Sequence, residues 1–252
     1  MAIAHLDTLF IADLHLSPAR PDKLALFKQL LRGPARQSSA LYILGDLFEE
    51  FWVGPDDCTP PNPEIIEELA AFSRSGSRLF IQQGNRDLLI DSRFAELTGC
   101  VVLPEQAVIQ VNSKQVLVMH GDLLCTLDWK YQYYRRLVMN PVIRMLFKKL
   151  PCPARLALAH GLRPAMQRST RRKPAYIVDV EQQTVETVMR QTKVVELVHG
   201  HTHRPGIHEF SLDNKLAHRT VLGDWYEDAK ILVWNDRGSK LLPVSEYLQQ
   251  YT

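Results

Sequence analysis

Short apolar runs that end in polar residues recur along the first half of this 252-residue chain. Each run is too short for a core helix, and so favours a buried strand. The runs cover residues 8–12, 41–44 and 79–82. Helical patterns follow them at residues 22–32, from about residue 64, and at residues 92–98. Strands that alternate with helices of this length indicate βαβ units, and therefore an α/β fold.

The second half of the chain combines further strands with a proline-rich segment. Runs at residues 108–111 and 116–119 predict a hairpin that turns at Asn112 and Ser113. A helix is predicted at residues 179–190 and a strand at residues 194–198. Short β runs at residues 207–212, 219–222, 231–234 and 239–244 predict a second sheet. Prolines at positions 141, 151, 153, 164 and 174 predict that the intervening segment divides into short helical pieces.

The composition suits an ordinary soluble enzyme with one domain, residues 1–252, that carries an insertion. Hydrophobic residues make up 46% and charged residues 23%, and no apolar run approaches the roughly 18 residues that suggest a membrane span. The N-terminus has no basic region before its first apolar run, which argues against a signal peptide. The cysteines lack a CxxC pair and are expected to be reduced thiols: Cys58, Cys100, Cys125 and Cys152.

A net charge of +2 conceals one strongly basic segment. Between Trp129 and Val178 there are twelve Lys and Arg residues and no Asp or Glu, so this segment carries +12 and the remainder −10. Aliphatic residues are interleaved with these cations, a combination that suits an anionic lipid or a membrane surface. The composition of the insertion, at about residues 128–175, therefore predicts an anionic partner.

Polar side chains follow five of the predicted strands, at the point where each strand ends. Because α/β proteins keep their chemistry beyond the carboxyl ends of their strands, these side chains are expected to form one site. They mix carboxylate, amide and imidazole without a thiolate, which suits Mn²⁺, Fe²⁺ or a similar ion. Seven ligands exceed the needs of one ion and predict two ions about 3.5–4 Å apart, bridged by Asp46. The predicted ligands are Asp13, His15, Asp46, Asn85, His120, His201 and His203.

Five short motifs carry these ligands: Asp-x-His, Gly-Asp, Gly-Asn, His-Gly-Asp and Gly-His-Thr-His. In order and spacing they resemble the calcineurin-like metallophosphoesterase family. The resemblance implies a four-layer αββα sandwich with a dinuclear metal centre at the sheet edges and water as the nucleophile. It assigns Asp13, His15, Asp46 and His203 to one metal, and Asp46, Asn85, His120 and His201 to the other. His199, which directly precedes the last motif, is interpreted as a structural or substrate-edge residue.

Longer stretches resemble one branch of that family, the UDP-2,3-diacylglucosamine pyrophosphatases of lipid A biosynthesis. They include FIADLHLS, ALYILGDLFE, GNRDLLI, LVMHGDLLCTLD and VHGHTHRP. This resemblance implies that water attacks the α-phosphorus of UDP-2,3-diacylglucosamine, giving UMP and 2,3-diacylglucosamine 1-phosphate. It also implies two Mn²⁺ ions, a helical lid over the acyl chains, and peripheral association with the cytoplasmic side of the inner membrane. No oligomer is predicted.

The same resemblance gives roles to individual residues. Catalysis is expected to depend on Asp46, Asn85, Arg86 and His120. Substrate contacts are expected from Asn85, Arg86, Asp128, Thr170, Lys173 and His201. Where the family commonly has a serine, this chain has Met166, or Ser169 if the loop is shifted.

Arg86 stands where most relatives have a histidine that can protonate a leaving alkoxide. An arginine stays charged and cannot act as a general acid, so this position suits a leaving group that needs no proton, such as a phosphate. Its forked guanidinium can also bind two phosphate oxygens. The alternative is a structural Arg86 that forms a salt bridge with Asp87.

Two other functions are compatible with parts of the sequence. A metal-dependent nuclease or other phosphodiesterase would use the same centre, and the basic segment would suit phosphate backbones. The interleaved aliphatic residues and the missing histidine argue against nucleic acid as the substrate. A scaffold that kept the fold but lost the metal fits poorly, because all seven ligands are present.

Overall fold

The computed structural model describes residues 6–171, 173–174 and 176–251, without the side chains of residues 163–171. Within this part of the chain there are eleven strands and eight α-helices. The strands are β1 (Thr8–Ile11), β2 (Ala40–Leu44), β3 (Leu79–Gln82), β4 (Val101–Val102), β5 (Gln106–Val111), β6 (Lys114–Met119), β7 (Glu196–His199), β8 (Gly206–Leu212), β9 (Lys215–Val221), β10 (Lys230–Asn235) and β11 (Gly238–Pro243). The helices are α1 (Pro21–Arg32), α2 (Asn62–Arg74), α3 (Ser92–Thr98), α4 (Trp129–Val138), α5 (Pro141–Lys149), α6 (Cys152–Arg171), α7 (Gln182–Thr192) and α8 (Val244–Gln249).

The strands form two mixed sheets. The first has the order β11-β10-β1-β2-β3-β4, in which β1 to β4 are parallel and β10 and β11 are antiparallel additions. The second has the order β5-β6-β7-β9-β8, with a parallel centre of β6, β7 and β9. Both sheets therefore contain the βαβ-type parallel pairing that the sequence predicts.

The two sheets pack face to face, and helices cover their outer faces. Between the sheets, the rings of Phe10, Tyr42 and Phe80 stack across β1 to β3, with centroid separations of 4.9 and 4.6 Å. Val118 and Val198 of the second sheet belong to the same buried cluster. Helices α1, α2 and α3 pack on the other face of the first sheet, and α7 packs on the second. The expected four-layer αββα sandwich is confirmed.

Some sequence expectations about the elements were wrong. The last four strands do not form a sheet of their own, because β8 and β9 extend the second sheet while β10 pairs with β1 in the first. An alternating pattern identifies a strand without specifying its neighbour. Helix α7 begins at Gln182 rather than at residue 179. Helix α6 continues through position 164, since a proline removes only one of the hydrogen bonds of this 20-residue helix.

Helices α4, α5 and α6 form the segment between β6 and α7. Helices α4 and α5, which are described in full, contain no buried residue. Helix α6 contributes the buried Arg155 and Ala159. No helix in the described part of the chain has the length and apolar character needed to cross a membrane.

We predict that Phe10→Ala will lower the free energy of unfolding by about 3–5 kcal/mol, because it leaves a cavity between the two sheets. Phe10 is fully buried, whereas Val101 at the sheet edge is largely exposed. Urea denaturation followed by circular dichroism measures the effect. Val101→Ala is the control, with an expected change of less than about 0.5 kcal/mol. Equal losses for the two variants would contradict the assignment of Phe10 to the central core.

Candidate metal centre

All seven predicted ligands lie at one edge of the sandwich. The first sheet supplies Asp13, His15, Asp46 and Asn85, which follow β1, β2 and β3; the second supplies His120, His201 and His203, which follow β6 and β7. Within each sheet these strands are parallel, so their carboxyl ends meet. A hydrogen bond from the backbone N of His201 to Asp13 Oδ2, 2.7 Å long, joins the ligand loops of the two sheets.

Five of the ligands have left-handed backbone conformations. They are Asp13, His15, Asp46, His201 and His203, with φ angles of 53°, 48°, 54°, 70° and 56°. Asp and His enter this region more readily than most residues other than glycine. Each such position costs on the order of 1–3 kcal/mol and persists only where the surroundings enforce it. The clustering of five at one edge therefore marks a functional site.

Two glycines let the ligand loops approach one another. A Cβ atom on Gly84 would lie 2.3 Å from both the backbone N and Oδ1 of Asp46. A Cβ atom on Gly200 would lie 2.3 Å from Asp13 Oδ2. Any larger residue at either position would have to displace a ligand carboxylate.

The first metal subsite consists of Asp13, His15 and His203 with one oxygen of Asp46. The Nε2 atoms of His15 and His203 are 3.3 Å apart, and Asp13 Oδ1 is 3.5 Å from His203 Nε2. Asp46 Oδ2 lies 3.7 Å from His15 Nε2. Asp13 Oδ1 is buried without a hydrogen-bond partner among the described residues. Such an oxygen is costly to bury unless a cation occupies the space beside it.

The second metal subsite consists of Asn85, His120 and His201 with the other oxygen of Asp46. Asn85 Oδ1 is 3.1 Å from His120 Nε2 and 3.0 Å from His201 Nδ1. The two imidazole nitrogens are 3.3 Å apart. Asp46 Oδ1 lies 3.8 Å from His120 Nε2. Asp46 thus presents one oxygen to each subsite, an arrangement that allows its carboxylate to bridge two ions.

Hydrogen bonds behind the rings set which nitrogen each histidine presents. His120 Nδ1 donates to the carbonyl of Leu44 at 2.8 Å, which leaves Nε2 facing the second subsite. His203 Nδ1 lies 2.9 Å from Asp224 Oδ2, so its Nε2 faces the first subsite. Such partners fix the tautomer and orientation of metal-binding histidines.

The buried Asp87 holds in place the loop that carries Asp46, the predicted bridging residue. The carboxylate of Asp87 accepts hydrogen bonds from the backbone N–H groups of Gly84, Asp46 and Leu47, at 2.7, 3.2 and 2.8 Å. It therefore fastens the loop after β2 to the loop after β3. The salt bridge considered between Arg86 and Asp87 is replaced by a different contact, in which Arg86 Nη1 donates to the carbonyl of Glu49 at 2.8 Å.

Two of the four imidazoles are neutral near pH 7. Burial lowers the pKa of His15 to about 3 and the pKa of His201 to about 4. Each of these rings belongs to a different subsite. Each subsite therefore has one imidazole with a free lone pair.

The other two imidazoles are protonated near pH 7. Burial lowers the pKa of His120, but the nearby carboxylates of Asp46 and Asp13 raise it to about 9. Burial also opposes protonation of His203, whereas the neighbouring carboxylates of Asp13 and Asp224 raise its pKa to about 10. The two imidazolium groups thus supply positive charge that bound cations would otherwise provide.

The donor set fits two divalent ions. Adjacent ligands on an octahedral ion with bond lengths of about 2.1 Å lie about 3 Å apart. The donor-to-donor distances given above are 3.3–3.7 Å in the first subsite and 3.0–3.8 Å in the second, so most are somewhat longer than this spacing. Burial raises the pKa of Asp46 to about 7. A cation bound beside this carboxylate would favour its ionised form. Oxygen and imidazole donors suit divalent first-row metals.

Asp128 and Lys173, two of the predicted substrate contacts, lie next to each other at the start of α4, near the second subsite. Asp128 Oδ2 accepts a hydrogen bond from Lys173 Nζ at 2.5 Å, so these two residues are adjacent. The ring of Tyr131, in the first turn of α4, lies 5.9 Å from that of His201. Thr170, Met166 and Ser169 lie outside the residues whose side chains are described.

Sequence reasoning missed several residues that support the centre. Asp224 orients His203, as described above. Asp122 accepts hydrogen bonds from Tyr131 Oη at 2.7 Å and Arg135 Nε at 2.6 Å, which ties the loop of His120 to α4. Both aspartates follow a glycine at the end of a strand, as Asp46 does. That shared Gly-Asp pattern could have identified them.

His199 is structural, which is one of the two roles expected for it. It is fully buried, and its Nδ1 donates to the carbonyl of Gly200 at 2.8 Å. Its Nε2 accepts a hydrogen bond from Arg219 Nη1 at 3.2 Å. Both ring nitrogens of His199 therefore form hydrogen bonds with residues that are not predicted metal ligands.

Two stacked sheets with a carboxylate, amide and imidazole set at one edge define a metal-dependent phosphoesterase with a dinuclear site. Comparison with known proteins agrees, because residues 6–205 match the calcineurin-like phosphoesterase family. The chain belongs to that family, within its UDP-2,3-diacylglucosamine hydrolase branch.

Three relatives illustrate this similarity, each bearing the name UDP-2,3-diacylglucosamine hydrolase. The Serratia proteamaculans protein is 45% identical over 227 residues, covering 90% of this chain and 94% of the relative. The Aeromonas hydrophila protein is 43% identical over 228 residues, with the same coverage of each chain. A Pseudomonas putida protein is 44% identical over 235 residues, covering 93% of this chain and 98% of the relative.

We predict that Mn²⁺ binding at pH 7.5 will release roughly two protons, because ligand imidazoles must be deprotonated. The protons come from His120 and His203, whose pKa values of about 9 and 10 lie above this pH. The apparent affinity for Mn²⁺ should accordingly rise with pH up to about these values. Calorimetric titrations in two buffers of different ionisation enthalpy measure the number of protons released.

The variant His203→Asn provides a matched control, because it should release about one proton fewer than the wild type. Binding without proton release in the wild type would contradict the assigned charge states.

Proposed function

We propose that this protein hydrolyses the pyrophosphate bond of UDP-2,3-diacylglucosamine by attack of water on the α-phosphorus. The products are UMP and 2,3-diacylglucosamine 1-phosphate, as in lipid A biosynthesis. The observation that carries this proposal is an apolar cavity that opens beside the metal centre, with Arg86 in its wall. The names of the relatives support the same substrate.

The cavity has a volume of about 210 Å³ and lies between the sandwich and helices α4 to α6. Its apolar lining combines Trp52 and Leu89 of the sandwich with Tyr134, Ile143, Phe147 and Leu158 of the helices. An apolar pocket of this kind suits hydrocarbon chains rather than bases or sugars. We infer that residues 128–175 form a lid that holds the acyl groups.

Arg86 connects the cavity to the metal centre. Its backbone N donates to Asp46 Oδ1 at 2.9 Å, while its side chain reaches the cavity wall. A guanidinium there can bind the phosphate that links the lipid to the α-phosphorus and stabilise the charge that develops as it leaves. A phosphate leaving group needs no proton, so the absence of a general acid at this position suits a pyrophosphate.

The ligands assigned to the two subsites carry the remaining chemistry. Two divalent cations, which we infer to be Mn²⁺, supply Lewis acidity that activates water and offsets phosphate charge. Asp46 would contribute to holding both ions, and Asn85, His120 and His201 would hold the ion of the second subsite, beside which the phosphates would bind. We infer that Asp128 and Lys173, which pair with each other, contact the sugar, and Thr170 is proposed with them from the sequence.

The outer surface of the lid supports peripheral binding to an anionic membrane. Trp129 and Tyr133 of α4 are 68% and 71% exposed, and Val142 and Leu146 of α5 are also exposed. Basic residues are interleaved with them, as in helices that lie at membrane surfaces. We infer that the lid faces the cytoplasmic side of the inner membrane, where a diacylated substrate resides.

An assay of substrate choice tests the proposed function. Mn²⁺-loaded protein is incubated separately with UDP-2,3-diacylglucosamine, bis(p-nitrophenyl) phosphate and single-stranded DNA. Release of UMP from the first substrate should exceed cleavage of the other two at equal concentration. Comparable or faster cleavage of the nucleic acid or the diester would favour a nuclease or general phosphodiesterase instead.

We predict that Ala159→Phe will raise the KM for UDP-2,3-diacylglucosamine by about tenfold or more. A tenfold rise corresponds to a loss of about 1.4 kcal/mol of binding free energy, the scale of a blocked hydrophobic contact. Ala159 is buried and lines the cavity, so a phenyl ring there would occupy its interior. Steady-state kinetics measure KM, and calorimetry should show unchanged Mn²⁺ affinity. An unchanged KM would contradict the assignment of the acyl chains to this cavity.

A further inference from the structure

Glu49 lies between Arg86 and the first metal subsite and contacts both. Its backbone carbonyl accepts from Arg86 Nη1 at 2.8 Å, and its Oε1 lies 3.6 Å from the same nitrogen. Its Oε2 lies 3.4 Å from His15 Nδ1 and also accepts a hydrogen bond from the hydroxyl of Tyr226. Glu49 therefore contacts the arginine and a ligand histidine through different oxygens.

A backbone hydrogen bond and a neighbouring ring stack limit the position of this glutamate. The backbone N of Glu49 donates to the carbonyl of Leu16 at 3.1 Å, next to a β-bridge between Leu16 and Phe48. The ring of Tyr226 stacks on that of His15, with centroids 5.1 Å apart and an interplanar angle of 18°. Backbone pairing thus sets where Glu49 lies, and the stacked tyrosine limits where its carboxylate can point.

A carboxylate at this point meets two physical needs. Arg86 is a permanent cation on a long side chain beside a centre that binds divalent cations, and repulsion would drive its guanidinium away. A negative charge on Glu49 offsets that repulsion and holds the guanidinium at the cavity wall. On its other side, Glu49 Oε2 lies 3.4 Å from His15 Nδ1, which has no hydrogen-bond partner among the described residues. A negative charge at that distance favours the tautomer that carries its proton on Nδ1 and leaves Nε2 free to bind a metal.

We propose that Glu49 is a positioning residue that fixes Arg86 and His15 relative to each other. The guanidinium that we propose binds phosphate is thereby kept at a fixed position relative to the first metal subsite. The prediction about turnover rests on the proposed function, whereas the prediction about metal affinity does not.

A double-mutant cycle on turnover tests the link to Arg86. At saturating Mn²⁺, Glu49→Gln should lower kcat for UDP-2,3-diacylglucosamine by about 10- to 100-fold, and Arg86→Ala by about 100-fold. The double variant should be no more than about threefold slower than Arg86→Ala, because residues in one network are not additive. Effects that multiply in the double variant would overturn the proposal.

Calorimetric titration with Mn²⁺ alone tests the link to His15. Glu49→Gln should weaken binding by about tenfold or more, as loss of a partner behind a ligand histidine does. Glu67→Gln removes the same charge from an exposed position on α2 and should leave both affinity and kcat unchanged. An unaltered affinity in Glu49→Gln would overturn the proposal.

Tyr226→Phe provides a second, milder variant that keeps the ring on His15 but removes the hydroxyl from Glu49. It should lower kcat by about threefold to tenfold, the scale of one hydrogen bond of about 1 kcal/mol. A wild-type rate would contradict a role for the Glu49 carboxylate. If the wild type fails to hydrolyse the substrate, the proposed function is wrong, and the Mn²⁺ titration still decides the role of Glu49 at His15.

Discussion

The metal centre depends on a close approach between strand ends of two different sheets. Five ligands adopt left-handed backbone conformations there, and Gly84 and Gly200 leave room for the carboxylates of Asp46 and Asp13. Strain of this kind survives only where surrounding structure enforces it. The hydrogen bonds of the Asp87 carboxylate and the bond from His201 N to Asp13 hold these loops in place. The stacked rings of Phe10, Tyr42 and Phe80 pack between the sheets that carry the loops.

The site also requires that its buried carboxylates be balanced by positive charge. Asp13 and Asp46 are almost completely buried at the sheet edge, where an uncompensated carboxylate would be costly. Protons on His120 and His203 supply the compensation, and divalent ions would replace them. The same condition extends outward to Arg86, whose cation is balanced by Glu49. Binding of metal and binding of a phosphate group are therefore linked through neighbouring charges.

Sequence patterns predicted the parts of the structure that depend on local chemistry. Apolar runs ending in Gly-Asp, Gly-Asn or Gly-His-Thr-His predicted which side chains meet at the sheet edge, because the turn after a strand needs those small or polar residues. The pairing of β10 with β1, the continuation of α6 past position 164 and the partners of Arg86 were not predictable in this way. Each depends on which segments meet in space. The Gly-Asp pattern could have drawn attention to Asp224, but not to its contact with His203, which lies 21 positions earlier in the chain.

The predicted metal ligands alone would not give this centre a substrate preference. The preference comes from the cavity beneath α4 to α6 and from Arg86 in its wall. The ligands suit any phosphoester, whereas Arg86 and the apolar lining suit a lipid-linked diphosphate. Hydrolysis in water enriched in oxygen-18 tests this account most directly, with mass spectrometry of both products. The account predicts that the label enters UMP. Label in the sugar phosphate, or release of UDP, would contradict attack on the α-phosphorus.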